Sequence, residues 1–212
     1  MTSRDRILAA VRAGLGPERR DPAAIAAEAD ALLADPDAIR PRLAAPSLVE
    51  AFAAKAGALG TTIDRVADLD AVPAAVARYL AGHGLAAVAL QPAPELAGLD
   101  WLDAHASVAP DEAAAVGLAR WAIAESGSIV IHSAPDSPIL AAFLPLHHIV
   151  VLHASAILPH LEDYAARLDA GVPPRNAILI TGPSGTTDIE GSYVRGAHGP
   201  GFVHVILVGA AG

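Results

Sequence analysis

Residues that could do chemistry gather in three short loops of this 212-residue chain, and the longest loop is Thr181–Glu190. It follows an apolar run at Asn176–Ile180, which predicts a buried strand. Glycines let a backbone approach a ligand, and successive amides with hydroxyls can cradle an anion. An ordinary turn that caps a helix is the alternative interpretation. The candidate substrate- or anion-binding residues of the loop are Gly182, Pro183, Ser184, Thr186, Thr187, Asp188 and Glu190, of which Asp188 and Glu190 could order the loop or bind a metal.

The second loop, Ala124–Ser128, places one carboxylate among small residues directly before a predicted strand. In this setting Glu125 could act as a general base or as an acyl-accepting nucleophile. Ser126, Gly127 and Ser128 beside it are further candidates for binding a ligand. A solvated glutamate, or one that pairs with a helix end, is the alternative that the spacing leaves open.

The third loop, Gly196–Pro200, holds His198 between small, flexible residues. Imidazole is the side chain best suited to proton transfer near neutral pH, so His198 is the predicted proton carrier. Gly199 joins the predicted binding residues. A turn histidine that caps a carbonyl is the alternative.

The other histidines do not have the spacing of metal ligands. His147 and His148 are adjacent at a predicted strand start, so their side chains point to opposite faces. No HExxH motif occurs, and we predict neither a metal nor a cofactor bound by this chain. No G-x-G-x-x-G follows a strand and opens a helix, and no G-x-S-x-G occurs, which argues against a dinucleotide site and a serine hydrolase.

Composition excludes several other classes. The net charge of −9, from 14 Lys and Arg against 23 Asp and Glu, argues against nucleic-acid binding. The absence of cysteine excludes disulfides, a thiolate nucleophile and iron–sulfur ligation by this chain. The sequence shows neither a signal peptide nor an apolar run of about 18 residues, so we expect a cytoplasmic protein without a membrane span.

The elements that must position the loops alternate between strand and helix, which predicts an α/β fold: a mainly parallel sheet with helices on both faces. Helices are predicted from a Ser47–Glu50 capping box, from a cap at Asp70 and over Leu158–Leu168. Ala113–Ala124 is ambiguous between strand and helix. Strands are predicted at Thr61–Val66, Leu85–Leu90, Ser128–His132, His148–Leu152, Asn176–Ile180 and Phe202–Val208.

The chain divides into an N-terminal extension, residues 1–46, and an α/β domain, residues 47–212. The extension begins with a helix capped by Ser3 and continues as a proline-rich connector. Ligands of open α/β sheets bind at the carboxyl ends of strands. We therefore expect the three loops to converge at one rim of the sheet and to share a cleft.

Taken together, the loops resemble the lactate-utilisation protein C family, also called the LutC/YkgG or LUD-domain family. The matching segments are Ile123–Ser128, Leu144–Val151, Gly182–Ser184 with Thr186, Asp188–Glu190 and Gly196–Pro200. Each motif alone is weak, whereas the ordered set over residues 113–208 is specific. One departure is Gly185, which stands where the family usually has an arginine. Another is the segment at Asp136 and Ser137, where the resemblance leads one to expect an arginine.

The resemblance implies a fold like that of the NagB/RpiA/CoA-transferase group. It also implies a bacterial role in converting L-lactate to pyruvate with two partner proteins, one of them rich in iron–sulfur clusters. A chain without cysteine or a nucleotide fingerprint would then bind substrate or partner subunits and leave the redox step to others.

Two other hypotheses remain open at this point. The chain could be a stand-alone enzyme acting on an acyl or phosphate ester, with Glu125 as nucleophile or base, His198 as proton carrier and the Gly182–Thr187 loop as anion cradle. It could also be a ligand-sensing module without catalysis. Whether the chain is an enzyme is therefore left undecided by the sequence.

Overall fold

The computed structural model of the protein describes residues 2–15, 20–38, 40–43, 45–106, 108–187 and 189–209. The chain forms two compact units, Met1–Pro41 and Arg42–Gly212. The first unit holds the helices α1 (Ser3–Gly14) and α2 (Pro22–Leu33). In both helices every described side chain is at least partly exposed.

Helix α1 is capped by Thr2 rather than by the expected Ser3. The Thr2 hydroxyl accepts from the Asp5 amide, and the Asp5 carboxylate accepts from the Thr2 amide at 2.8 Å. A cap at Ser3 would place Arg6 at the reciprocal position, and a guanidinium cannot accept a hydrogen bond.

The second unit is built on a six-stranded sheet in which every neighbouring pair is parallel. Its spatial order is β1-β12-β7-β4-β2-β3, so the last strand lies between the first and the seventh. The mainly parallel α/β class that the sequence predicts is confirmed. The strands are β1 (Thr62–Val66), β2 (Val88–Leu90), β3 (Ala104–His105), β4 (Ala114–Leu118), β7 (His147–His153) and β12 (Phe202–Val208).

One face of this sheet packs against α4 (Val72–His83) and the short α5 (Pro94–Ala97). Gly84 ends α4 in the left-handed region at φ +66°, as the glycines there predict. Buried aliphatic side chains from the helices and alternate strand residues form this part of the core. Along β7, Ile149 and Val151 face α4, whereas Val150 and Leu152 face away.

The opposite face packs against α3 (Leu48–Ala58) together with a second sheet. This sheet has four strands in the order β8-β5-β6-β9 and is mostly antiparallel. Helix α6 (Leu161–Asp169) covers its outer side through Tyr164. The second-sheet strands are β5 (Trp121–Ile123), β6 (Ser128–His132), β8 (Ile157–Leu158) and β9 (Ala177–Ile180).

Two helix starts differ from the prediction. The Ser47 hydroxyl accepts from the Glu50 amide as expected, but the Glu50 carboxylate pairs with Arg65 at 2.6 Å instead of returning to Ser47. A charge-assisted bond to arginine is stronger than a bond to a neutral amide. Asp70 caps nothing, because Asp68 caps a 3-10 turn that leads into α4.

Two strand assignments also change. The ambiguous Ala113–Ala124 run is two strands, β4 in the main sheet and β5 in the second. β9 is an edge strand with Leu179 41% exposed, so the prediction of a buried strand at Asn176–Ile180 was wrong. A short apolar run alone does not tell an edge strand from a central one.

A small antiparallel hairpin completes the unit. Its strands are β10 (Gly185–Thr187) and β11 (Tyr193–Arg195), so part of the predicted Thr181–Glu190 loop is a strand. Among the described residues, no helix has the length and apolar character that crossing a bilayer requires.

Candidate functional site

The Ala124–Ser128 turn is shaped by close packing against the last turn of α3. Gly127 has φ +68°, and a Cβ at this position would stand 2.5 Å from the Ala56 amide nitrogen. Only glycine satisfies both constraints without strain. The small residue in this motif therefore has a structural reason that is independent of any ligand.

The turn at Gly182 repeats this arrangement a few residues further along α3. Gly182 has φ +86°, and a Cβ there would stand 2.6 Å from the Leu59 carbonyl oxygen. The Pro183 ring lies beside Gly60, just before β1. Two of the three predicted loops thus meet at the end of α3.

A chain of hydroxyls links these two loops directly. The Ser126 and Ser128 hydroxyl oxygens are 2.8 Å apart, and the Ser128 and Thr181 hydroxyl oxygens are 2.7 Å apart. Ser128 is only 2% exposed, whereas Ser126 is half-buried and Thr181 is exposed. This chain joins the start of β6 to the end of β9, and it could present a hydroxyl to a ligand only at its outer members.

Glu125 is bound to the N-terminus of α6. Its carboxylate accepts from the Leu161 amide at 2.6 Å, and its own amide donates to the Pro159 carbonyl at 3.1 Å. An anion at a helix N-terminus is favoured by the exposed amides and the helix dipole. The geometry matches the helix-end pairing that the sequence left open as an alternative.

The third loop lies against the second. The Ser184 amide donates to the Pro200 carbonyl at 2.8 Å, and the Gly196 amide donates to the Ser184 carbonyl at 2.9 Å. Gly199 lies next to the Ser184 side chain. The loop with Thr181 and Ser184 is therefore bonded to both of the other predicted loops. We call residues 124–128, 181–187 and 196–200 the loop cluster.

The remaining predicted residues have different positions. Thr186 and Thr187 belong to β10, and Glu190 is exposed beyond it. His198 is exposed, and in the described part of the chain no hydrogen bond or ion pair joins it to Glu125. Asp188 lies outside the described residues. The side chain of Tyr193 occupies the space where a side chain at Gly185 would begin.

The loop cluster lies at the amino ends of the main-sheet strands, not at the carboxyl ends as expected. The third loop leads into β12, and both glycine turns touch the end of α3, which leads into β1. The first two loops follow β5 and β9, which belong to the second sheet. The rule that ligands bind at the carboxyl ends of strands concerns parallel sheets, so it does not apply to these two loops of a mostly antiparallel sheet.

Buried histidines surround the same amino ends. The Tyr79 hydroxyl is 2.9 Å from Nδ1 of His147, and the His204 ring stacks on Tyr79 with centroids 4.4 Å apart. Burial lowers the pKa of His204 to about 4, and burial together with His83 and Arg195 lowers the pKa of His147. These histidines are neutral parts of the core at neutral pH.

A large cleft opens at the other rim, where β2, β4, β7 and β6 end. Its volume is about 690 Å³, within the range of small-molecule sites. We call it the carboxyl-edge cleft. Its polar lining comes from residues that end a strand or lie in the segments directly beyond one: Gln91, Glu95, Arg120, His132, Ser133, Asp136, Ser137, His153 and Ser155.

The charged groups of the cleft are partly paired. His153 Nε2 lies 3.0 Å from the Glu95 carboxylate, and His132 Nε2 lies 2.8 Å from the Tyr164 hydroxyl. Burial, and then the positive charge of Arg120, lower the pKa of His132. The exposed Arg120 side chain makes no hydrogen bond or ion pair with any residue that the structure describes.

Gln91 holds the cleft together. Its side-chain amide donates to the Asp136 carbonyl at 2.9 Å, and its side-chain oxygen accepts from the Leu118 amide at 3.0 Å. Gln91 is 6% exposed, so both bonds are shielded from water. Its role is therefore to fix the Ala134–Ser137 loop to the end of β4.

Sequence reasoning proposed none of the cleft residues as part of a site, although it noted Asp136 and Ser137 as the place where an arginine was expected. The polar cleft residues come from separate segments at or beyond the strand ends, and they form no motif. Position at a strand end was the available signal: His132 is the last residue of β6, and Arg120 stands two residues after β4. In the described part of the chain, no group of three or more His, Asp or Glu side chains is arranged to hold a metal ion.

Comparison with known proteins places these features in a family. The LUD domain matches residues 49–208. Lactate utilization protein C of an Exiguobacterium species is 32% identical over 119 residues, which are 51% of this chain and 52% of the relative. The protein of the same name from Geobacillus thermodenitrificans is 36% identical over 104 residues, 46% of this chain and 43% of the relative.

The uncharacterized protein YkgG of Escherichia coli is 36% identical over 101 residues, which cover 44% of each chain. This chain thus spans about half the length of the curated relatives that it matches.

A solved structure has the same fold. The crystal structure of a DUF162 family protein from Deinococcus radiodurans superposes with a TM-score of 0.53 and 22% identity, covering 76% of this chain and 96% of that one. The family match extends over most of the second unit, including the loop cluster and the carboxyl-edge cleft. The resemblance noted in the sequence is confirmed: this chain belongs to the LUD domain family.

Proposed function

We propose that this protein is a component of a bacterial system that oxidises L-lactate to pyruvate. The observation that carries the proposal is the LUD domain match over residues 49–208. The names of the relatives, lactate utilization protein C, supply the pathway. We also place the protein in the cytoplasm as part of the proposal.

Within that system, we assign this chain a binding role. It contains no cysteine and therefore no thiolate ligands for an iron–sulfur cluster, so the electrons of lactate oxidation would pass through a partner subunit. A concave site of about 690 Å³ is suited to hold a small molecule. The proposed partners are the other lactate-utilisation subunits, one of them rich in iron–sulfur clusters.

The alternative of a stand-alone acyl- or phosphate-ester enzyme is not favoured. It needs a Glu125 carboxylate free to attack, whereas this carboxylate accepts from the Leu161 amide at the start of α6. It also needs the exposed His198 as a proton carrier, and no described contact links His198 to Glu125.

Growth on lactate tests the proposal. We expect a deletion strain of the native host to grow normally on glucose and on pyruvate but poorly on L-lactate, and the plasmid-borne gene to restore growth on lactate. Normal growth of the deletion strain on L-lactate as sole carbon source would contradict the role.

Purification from lactate-grown cells tests the partners. A tagged copy of the full chain should co-purify with a cysteine-rich protein that is identified by mass spectrometry and brings stoichiometric iron and inorganic sulfide. Recovery of the chain alone at low salt and without detergent would contradict the proposed assembly.

A further inference from the structure

We propose that the carboxyl-edge cleft binds a small organic acid, a carboxylate with an oxygen on the neighbouring carbon, and that Arg120 binds the carboxylate and His153 the neighbouring oxygen. The use of lactate and pyruvate as probes rests on the proposed function. The location and the residues of the site rest on the geometry of the cleft alone.

Arg120 is a free cation inside a concavity. Its amide donates to the Val130 carbonyl at 2.9 Å, which fixes the backbone between β4 and β5. Its guanidinium carbon lies 5.6 Å from the centre of the Trp121 ring. By contrast, Arg65 and Arg78 elsewhere in this unit are paired with carboxylates. An unpaired guanidinium is a fork that matches a carboxylate in two parallel hydrogen bonds.

His153 provides the second contact. Nε2 of the His153 ring lies 3.0 Å from the Glu95 carboxylate, within hydrogen-bond distance. In the neutral imidazole this fixes the hydrogen on Nε2 and leaves Nδ1 as an acceptor. An acceptor suits the hydrogen of a hydroxyl better than it suits a carbonyl oxygen. The arrangement therefore favours 2-hydroxy acids over 2-oxo acids.

The charges of the cleft favour a monoanion. Glu95 and Asp136 both line it, so two carboxylates accompany the one arginine. Arg120 is the one arginine among the described residues that line the cleft, so a dianionic phosphate would meet this negative charge with a single guanidinium, whereas a carboxylate needs only one.

The size of the cleft indicates an acid with a tail. A volume of about 690 Å³ is much larger than a three-carbon acid needs. Part of the wall is apolar, through Ala93, Ala119, Ala156 and Val172. An apolar tail on the acid would cover this wall, so affinity should rise with tail length.

Titration calorimetry with the full chain tests the site. The probes are L-lactate, pyruvate, acetate, L-2-hydroxyisocaproate and inorganic phosphate. We expect the hydroxy acids to bind more tightly than pyruvate or acetate, with L-2-hydroxyisocaproate tightest. Tighter binding of phosphate than of every carboxylate would overturn the proposal, as would no binding of any carboxylate by the wild-type chain.

Variants locate the site. Arg120→Ala should weaken the binding of every carboxylate probe by about tenfold or more. Arg120→Lys should restore only part of the lost affinity. Arg42→Ala, an exposed arginine of the same unit outside the cleft, is the matched control. His153→Gln should reduce the affinity for hydroxy acids and leave that for acetate unchanged. Equal affinities in Arg120→Ala and Arg42→Ala would overturn the site.

The binding and growth experiments fail independently. Loss of growth on lactate in the deletion strain, without binding by the purified chain, would leave the proposed function standing and remove the cleft site. Binding that depends on Arg120, with normal growth of the deletion strain, would keep the site and remove the role in lactate oxidation.

Discussion

The loop cluster and the carboxyl-edge cleft lie at opposite rims of the same sheet and are built in opposite ways. The loop cluster consists of compact motifs whose glycines and hydroxyls contact other parts of the protein. Gly127 and Gly182 touch the backbone of α3, and Ser128 bonds to Thr181. The cleft is lined by residues from separate segments, and the Arg120 side chain there has no described hydrogen-bond or ion-pair partner.

This difference separates two meanings of a sequence motif. A run of small and polar residues marks a place where the backbone packs closely against another group. That group can be another segment of the same protein as well as a ligand. A residue with unused binding capacity carries no such pattern. Three of the following predictions test whether the loop cluster is structural, and one tests the buried histidines of the sheet; they run from the largest effect of a single change to the smallest.

Gly127→Ala should be strongly destabilising. The new Cβ would stand 2.5 Å from the Ala56 amide nitrogen, and the residue would have to keep φ +68°. Backbone strain and the clash together should lower the free energy of unfolding by about 4 kcal/mol, as measured by urea denaturation.

The matched control is Gly191→Ala. Gly191 has φ +86°, and no described atom lies within 4 Å of a Cβ built there. The substitution should therefore add backbone strain without a clash and lower the free energy of unfolding by only about 1–2 kcal/mol. Equal losses in the two variants would mean that packing against α3 does not dictate the glycine.

Acid should destabilise the sheet through its buried histidines. Burial lowers the pKa of His148 and of His204 to about 4, so both bind protons more weakly in the folded chain than in the unfolded chain. Their stabilisation is complete above pH ~6.5 and is lost as the pH falls toward 4. The loss should be roughly 3 kcal/mol for each, measured by urea denaturation at several pH values.

His148→Asn removes one of these titrating groups, so its stability should fall less steeply between pH ~6.5 and 4. A curve as steep as that of the wild type would show that His148 does not titrate in this window.

Ser128→Ala breaks the hydroxyl chain at its buried centre. It removes the bonds to Ser126 and Thr181 and should cost about 1–2 kcal/mol of unfolding free energy. Ser126→Ala removes one bond at a half-buried position and should cost less. Unchanged organic-acid binding in both variants would support a structural role, whereas loss of binding with normal stability would move the ligand site to the loop cluster.

Glu125→Gln should have the smallest effect. The side-chain oxygen of the glutamine can still accept from the Leu161 backbone amide, so only the charge at the helix N-terminus is lost. The free energy of unfolding should fall by less than about 1 kcal/mol. The variant should support normal growth on lactate in the deletion strain. A stable variant that fails to support growth would restore Glu125 as a catalytic group.

The sequence predicts the sheet better than it predicts the site. Ser128–His132 is a strand with the expected bounds, and the apolar run in β12 has the bounds expected of a central parallel strand. These patterns are local and follow from burial on both faces. The predicted loops do converge, since Ser184 bonds to Pro200 and Ser128 to Thr181.

The rest depends on contacts between distant segments. The Glu125 carboxylate meets an amide 36 positions away, and Gln91 bonds to a carbonyl 45 positions away. No window of sequence contains both partners. The second sheet was missed for the same reason, because β5 and β8 pair only after the chain has crossed between the sheets.

The position of β12 in the main sheet affects how the chain folds during its synthesis. β1 pairs with β12, and Thr62 bonds to His204 across 142 positions. While the chain emerges from the ribosome, β1 and β7 lack the strand that joins them, and their unpaired backbone edges favour premature association. We expect slow, late completion of folding, with nascent chains held by chaperones until β12 has emerged.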